Sequence, residues 1–464
     1  MMGDELREAC GVVGIVGTTD APGLAVTGLY ALQHRGQESA GVATLDDAHI
    51  FLEKGMGLVA DVFGEERLAR LHGDAAIGHV RYSTAGASTP ENAQPLHFRS
   101  RFGPFAIAHN GNLVNAYQVR RQLEADGAIF QTTTDTEVVA HLIARNRSST
   151  LDEALRQSMA DLRGGYALVL LHRDGVFALR DPSGLRPLVV GERDGVPMVA
   201  SESSAIVAMD GELMVDVAPG ELIRLGKEGL ERHPGFLPPG PMSLCSFEYI
   251  YFARPDAVMD GRTVLSVRRR LGEELAREAP APVDIVVGVP DSSLPAAEGY
   301  ARSLGIPMEP GLAKNRYIGR TFIQPTQGKR TSALKLKLAA VEDVVRGRRV
   351  ALVDDSIVRG TTARHLVGLL RRAGASEVHL RIASPPYRHP CHYGIDTSDR
   401  SQLLASGRTE DDIAREVGCE SLAFLSPAGV ARALGRPGCM ACFTGSYPVS
   451  IEGAFVKNDL EVRP

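Results

Sequence analysis

Apolar positions along the chain change texture once, near residue 240. Before that point short apolar runs broken by glycines and turn residues recur, among them VVGIVG, GVATL, AAIGHVRYST, FAIAHNGNL, YALVLLHRD and PLVVGERDGVPMVASE. Runs of that length bounded by turn signals predict strands, and helical patterns over 21–32 and 135–146 sit among them. Stacked antiparallel sheets flanked by helices, an α+β arrangement, follow. The stretch FLPPGPMS at 236–243 is rigid and turn-rich, and it places a domain boundary after residue 238. Beyond it strand and helix alternate. DIVVGV at 284–289, RVALV at 349–353 and EVHLRI at 377–382 read as buried strands of a parallel sheet. Between the last two, Ala363, Leu366, Val367 and Leu370 share one face of a helix over 361–373 that Gly374 ends, which completes a βαβ unit. No internal repeat or low-complexity tract is visible.

The 464 residues suit two or three domains at about 150 residues each. A formal net charge of −5 gives no general attraction to nucleic acid or an anionic membrane. Met1–Ala9 is polar with no apolar core for a secretory signal, and no run reaches the ~18 apolar residues of a membrane span. A soluble, cytoplasmic, reducing setting is therefore expected, where cysteines serve catalysis or metal binding more often than disulfides. The 6 cysteines are unevenly placed: one at position 10 and the rest after residue 240.

The most specific motif is RVALVDDSIVRGTT at 349–362. In an open α/β sheet ligands gather at the carboxyl ends of strands, where Asp354 and Asp355 fall. Ser356, Ile357, Val358, Arg359, Gly360, Thr361 and Thr362 then bring backbone N–H groups and hydroxyls to a helix N-terminus, a cradle for phosphate. Two acids beside a phosphate cradle suit a phosphorylated sugar, through its ribose hydroxyls or a magnesium shell.

This run resembles the signature of the type I phosphoribosyltransferases, which bind phosphoribosyl pyrophosphate (PRPP). The resemblance implies that Asp354 and Asp355 contact the ribose hydroxyls and Mg2+, and that Ser356–Thr362 holds the 5-phosphate. It also makes Gly288–Ser293 the pyrophosphate loop, with Ser292 as a magnesium contact and Ser293 as the alternative. The intervening Lys314, Arg316, Lys329, Arg330, Lys335 and Lys337 form a basic segment. It reads either as a solvated surface or as a lid that neutralises the leaving pyrophosphate and excludes water.

A second chemistry occupies the first half. Cys10 leads the apolar strand GVVGIVG, and HRGQES at 34–39, HVRYST at 79–84, HNGNL at 109–113 and TDTE at 134–137 follow. Together these motifs resemble the glutaminase domain of the N-terminal-nucleophile amidotransferases. The resemblance implies that residues 1–9 are a propeptide and that the freed α-amino group of Cys10 is the base. Its reference pKa of about 7.7–8.0 suits that task. Arg81 would pair with the glutamine α-carboxylate and Asp135 with its α-ammonium. Asn110 and the Gly111 N–H would form the oxyanion hole.

The two halves together resemble the glutamine PRPP amidotransferase family over residues 10–456. The implied layout is an α+β glutaminase domain at 10–238 and an α/β phosphoribosyltransferase domain at 239–464. The implied reaction converts PRPP, glutamine and water to 5-phosphoribosylamine, glutamate and pyrophosphate, with ammonia passed between two sites. As a constellation of thiols alone, Cys245, Cys391 and the C-x-x-C pair Cys439 and Cys442 admit zinc, an iron–sulfur cluster or a redox dithiol. Their contexts resemble the subclass carrying a [4Fe-4S] cluster in a C-terminal segment, whereas Cys419 reads as a packing residue. The family resemblance further implies a homotetramer and purine nucleotide inhibitors. Two rival readings are another glutamine amidotransferase, which should lack VDDSIVRGTT, and a non-catalytic PRPP-binding regulator, which should lack the cysteine-led half.

Overall fold

Strand Gly11–Val16 is buried along its whole length, because both of its faces are covered. It is central in a seven-stranded sheet, paired antiparallel with Ala75–Arg81 on one side and Val196–Ala200 on the other. A second, six-stranded antiparallel sheet contains Gly103–Leu113, Gly164–His172 and Gly175–Arg180. Side chains alternate across a strand. Val12 and Val16 accordingly meet Ala106, Val169 and Val176 of the other sheet, while Val13 and Ile15 pack under helix Ala21–Ala31. The outer face of the second sheet is covered by helices Thr136–Arg145 and Leu151–Ala160. The result is four layers, helix–sheet–sheet–helix. The computed structural model describes residues 10–83, 86–315, 338–397, 399–436, 438–452, 454 and 460.

The second half contains four parallel strands in the order Ile285–Gly288, Arg349–Asp354, Glu377–Ile382 and Ser421–Phe424. The first three follow from the apolar pattern. The fourth does not: SLAF is four residues long, pairs on one side only and alternates in burial, so it has no extended apolar run. Helix Thr361–Arg372 lays Ala363, Leu366, Val367 and Leu370 on Leu352 and Leu380. Helices Val264–Glu278 and Leu294–Leu304 cover the opposite face. Because Ile285–Gly288 and Arg349–Asp354 are adjacent and parallel, the loops leaving their carboxyl ends lie side by side.

The halves meet where Glu248 pairs with Arg35 and Arg186 and where Val114 and Leu185 pack against Tyr393, Cys439 and Ala441. Among the described residues no helix is long and apolar enough to cross a membrane. Residues 1–9 and most of the basic segment, Arg316, Lys329, Arg330, Lys335 and Lys337 included, lie outside the described residues.

Candidate active site

Strand register brings the first constellation together. Gly11 pairs with Val80, which sets Arg81 and Tyr82 beside Cys10. The buried Cys10 thiol lies 3.2 Å from the Tyr82 carbonyl, and Arg35 Nε donates to the Cys10 carbonyl at 3.0 Å. Burial pushes the thiol pKa up, the Arg81 charge opposes that shift, and Glu38 and Asp135 add to it. Cys10, Arg81 and Asp135 therefore share one electrostatic site. Arg81 is buried and donates to the Ala87 carbonyl at 3.1 Å, with Glu38 at 3.8 Å. Asp135, at the start of helix Thr136–Arg145, accepts from the Leu113 N–H at 2.8 Å.

Asn110 lies in strand Gly103–Leu113, fully buried, and neither atom of its amide has a partner among the described residues. Leaving a buried polar group unpaired costs about 1–3 kcal/mol. Gly111 follows with φ +140°, and a Cβ there would stand 1.9 Å from the Gly165 carbonyl oxygen. Only glycine lets that backbone pack so closely.

The second constellation sits where the two adjacent parallel strands end. Asp354 Oδ1 accepts from the Asp355 N–H at 2.9 Å. Asp355 receives the hydroxyls of Ser292 at 2.5 Å and Ser356 at 2.8 Å. Ser292 is thus the hydroxyl brought to the acids, while Ser293 turns inward to the Val289 carbonyl. Burial pushes both acids above the usual carboxylate range, and the charge of Asp355 raises Asp354 further. Hydrogen bonds from Ser292 and Ser356 and the charge of Arg268 draw Asp355 back. Ile357 and Val358 point into the core, so they can offer a ligand only their backbone. Lys314 pairs with Asp291 across the mouth.

A buried pair of carboxylates beside a hydroxyl is a hard-oxygen donor set. Mg2+ typically takes one or two carboxylates and completes its shell with water and substrate phosphates, so these residues fit that ion.

A third constellation is a cavity lined by Cys245, Cys391, Cys439 and Cys442 together with Leu185, Arg186, Tyr393, Ile395 and Ala441. All of these thiols are free. Burial pushes Cys245 up to about 12 and raises Cys439 and Cys442 as well. Among the described residues no three His, Cys, Asp or Glu side chains converge on a single metal ion. Cys419 packs elsewhere, against the core of the parallel sheet, with its sulfur 3.8 Å from the Ala414 carbonyl.

A glutamine amidotransferase domain family matches residues 79–208, and a phosphoribosyl transferase domain family matches 256–389. The amidophosphoribosyltransferase of Bacillus subtilis is 49% identical over 454 residues, spanning 96% of this chain and 95% of the relative. The chain belongs to the amidophosphoribosyltransferase family. The amidophosphoribosyltransferase of Methanocaldococcus jannaschii is 46% identical, covering 91% of this chain and 94% of its own. Among solved structures, the B. subtilis glutamine PRPP amidotransferase complexed with ADP and GMP has a TM-score of 0.91 at 47% identity, covering 97% of this chain and 99% of that one. A second structure, described as the allosteric regulatory enzyme of purine biosynthesis, has a TM-score of 0.93 at 48% identity, covering 98% and 99%. The amidophosphoribosyltransferase family thus accounts for both halves of the fold, antiparallel then parallel.

Residues that sequence reasoning assigned no role also surround the Cys10 site. Glu38 accepts from the backbone and hydroxyl of Ser83 at 3.0 and 3.1 Å. Glu248, Arg35, Arg186 and Glu202 form a fully buried charge network. For Glu248 and Arg186 the signal was a charged residue inside an otherwise apolar stretch, SFEYIYF and SGLRPLVV.

Proposed function

We propose that this chain catalyses the committed step of purine biosynthesis, PRPP + glutamine + water giving 5-phosphoribosylamine, glutamate and pyrophosphate. The observation that carries this reading is the pairing, in one chain, of a two-sheet half holding the buried Cys10 beside Tyr82 and an unpartnered buried Asn110 amide with a buried acid pair leading into a hydroxyl-rich helix start.

Glutamine binds with its α-carboxylate on Arg81 and its α-ammonium on Asp135. Since burial holds the Cys10 thiol protonated, attack needs a base. Removal of residues 1–9 supplies one in the α-amino group of Cys10, which takes the thiol proton as sulfur bonds to the amide carbon. The tetrahedral oxyanion accepts from Asn110 and the Gly111 N–H, contacts worth about 3–4 kcal/mol for a single donor. Collapse passes the proton to the leaving nitrogen, releasing ammonia and a γ-glutamyl thioester that water hydrolyses to glutamate.

On the transferase side Ser356–Thr362 holds the 5-phosphate, Asp354 and Asp355 hold the ribose hydroxyls, and loop 288–293 with Lys314 and Arg316 receives the pyrophosphate. Magnesium, held by Asp354, Asp355 and Ser292, would supply charge neutralisation of the leaving group. Ammonia passed from the first site attacks C1 as pyrophosphate departs, because free ammonium in water at neutral pH is no nucleophile.

The same reading gives Cys245, Cys391, Cys439 and Cys442 a structural [4Fe-4S] cluster. The support is that four cysteines line one cavity, the number of thiolates that a [4Fe-4S] cluster takes. The reading extends to a cytoplasmic homotetramer inhibited by purine nucleotides, the latter supported by the ADP and GMP of the B. subtilis structure.

Pyrophosphate release from PRPP and Mg2+, with glutamine and separately with ammonium salt, tests the activity; release with neither would overturn it. Anaerobically purified protein should contain about four irons and four sulfides per chain, with visible absorption. Stoichiometric zinc alone would refute the cluster.

A further inference from the structure

We infer that Glu248 is a positioning residue for the glutamine half-reaction, a role that rests on the glutaminase reading above. Its carboxylate enters from the segment that begins the transferase half, yet it is completely buried among glutaminase arginines. Oε1 accepts from Arg35 Nη2 at 2.7 Å and Oε2 from Arg35 Nη1 at 2.9 Å. Arg186 Nη1 reaches Oε1 at 3.0 Å.

Each arginine then ends on one jaw of the glutamine site. Arg35 Nε holds the Cys10 carbonyl at 3.0 Å, and its Nη1 is steadied by Glu202 at 2.5 Å. Arg186 donates through Nε and Nη2 to the Tyr393 carbonyl at 3.0 and 2.6 Å. The segment carrying Tyr393 presses on the other jaw. The His392 carbonyl accepts from Asn112 Nδ2 at 2.9 Å. Gly394 is so close to the strand that a Cβ on it would stand 3.0 Å from the Gly111 Cα and 2.6 Å from Arg186 Nη2. One carboxylate therefore fixes the nucleophile's backbone and, through Arg186, the segment that backs the oxyanion glycine.

A buried ion network need not add stability over apolar packing, so stability alone does not explain its placement. Geometry does: a displacement of about 1 Å at reacting atoms costs on the order of 100-fold in rate. The Glu248 carboxylate bonds to Arg35 and Arg186 and not to Cys10, Arg81 or Asp135, so it acts through orientation.

The test uses the full-length, processed protein carrying Glu248→Gln, which keeps the side chain's shape and removes its charge. Glutamine-dependent kcat should fall by about 100-fold with KM for glutamine within about threefold, while ammonia-dependent synthesis stays within about twofold. Labelling of Cys10 by the diazoketone analogue of glutamine should fall about tenfold more than labelling by iodoacetamide, because only the former needs the aligned oxyanion site. Glu248→Asp keeps a charge between the two buried arginines, which guards the fold, but is one methylene too short to reach both. It should show the same selective loss at about 3- to 10-fold. An unchanged glutamine kcat in both variants, or equal loss of the glutamine and ammonia reactions, would overturn the inference. Absence of glutamine use in the unsubstituted protein would overturn the glutaminase reading, and the inference with it.

Discussion

Cys10→Ala is expected to lower glutamine-dependent formation of 5-phosphoribosylamine by about 10⁴-fold or more, with ammonia-dependent formation held within about twofold. The size follows from the thioester: without the sulfur there is no covalent route, and what remains is water attacking a bound amide. Selectivity follows from separation. Cys10 and its partners Arg81, Asp135 and Asn110 belong to the two antiparallel sheets and their helices, whereas the acid pair ends a strand of the parallel sheet. On the proposed mechanism burial raises the Cys10 thiol pKa and the freed α-amino group takes its proton, so the intact mass of the active native protein should be that of a chain beginning at Cys10. Full glutamine activity in protein that retains Met1 would sink that base, and loss of both reactions in Cys10→Ala would sink the division of labour.

The Asp354→Asn/Asp355→Asn double variant should do the reverse. On the proposed reading each acid would make a charge-dependent contact of the kind worth about 10²–10³-fold, so transfer should fall about 10⁴-fold or more with either nitrogen source. Hydrolysis of glutamine to glutamate should persist. A stability signature accompanies the loss. Both folded-state pKa values are raised, chiefly by burial. Relative to the unfolded chain, the folded state therefore prefers the protonated acids. That advantage is present below the ordinary carboxylate pKa of about 3.9 and is lost as pH rises through the raised values. Metal-free native protein should thus lose stability over that interval, the double variant should lose less, and added Mg2+ should stabilise only the native form. Thermal melts at acidic and neutral pH, with chelator and with Mg2+, measure all of these effects. Equal pH dependence of the two proteins would remove burial of the acids as the cause.

The motif VDDSIVRGTT was legible in the sequence because its chemistry is contiguous: strand, acids, loop and helix start follow one another, and local geometry brings them together. HNGNL and HVRYST were legible as motifs for the same reason. That they belong to one site with Cys10 came from the family resemblance and not from spacing, since their placement depends on the antiparallel register that pairs Gly11 with Val80 and on Asp135 reaching the Leu113 N–H. The edge strand Ser421–Phe424 escaped notice because four residues paired on one side have no distinctive periodicity.

The sequence by itself therefore determined the two fold classes, their order, the acid pair, the cysteine-led half and the C-x-x-C turn, all of which rest on neighbours within a few residues. Tertiary structure decided the rest. It chose Ser292 over Ser293, since a single step around a turn reverses which hydroxyl faces the acids. It gathered Cys245 and Cys391 with Cys439 and Cys442 and left Cys419 on another face. It also buried Glu248 between Arg35, 213 residues away, and Arg186. A lone glutamate in an apolar stretch carries no local mark of such a partner, because charge pairing across that separation is written in the packing of the two halves.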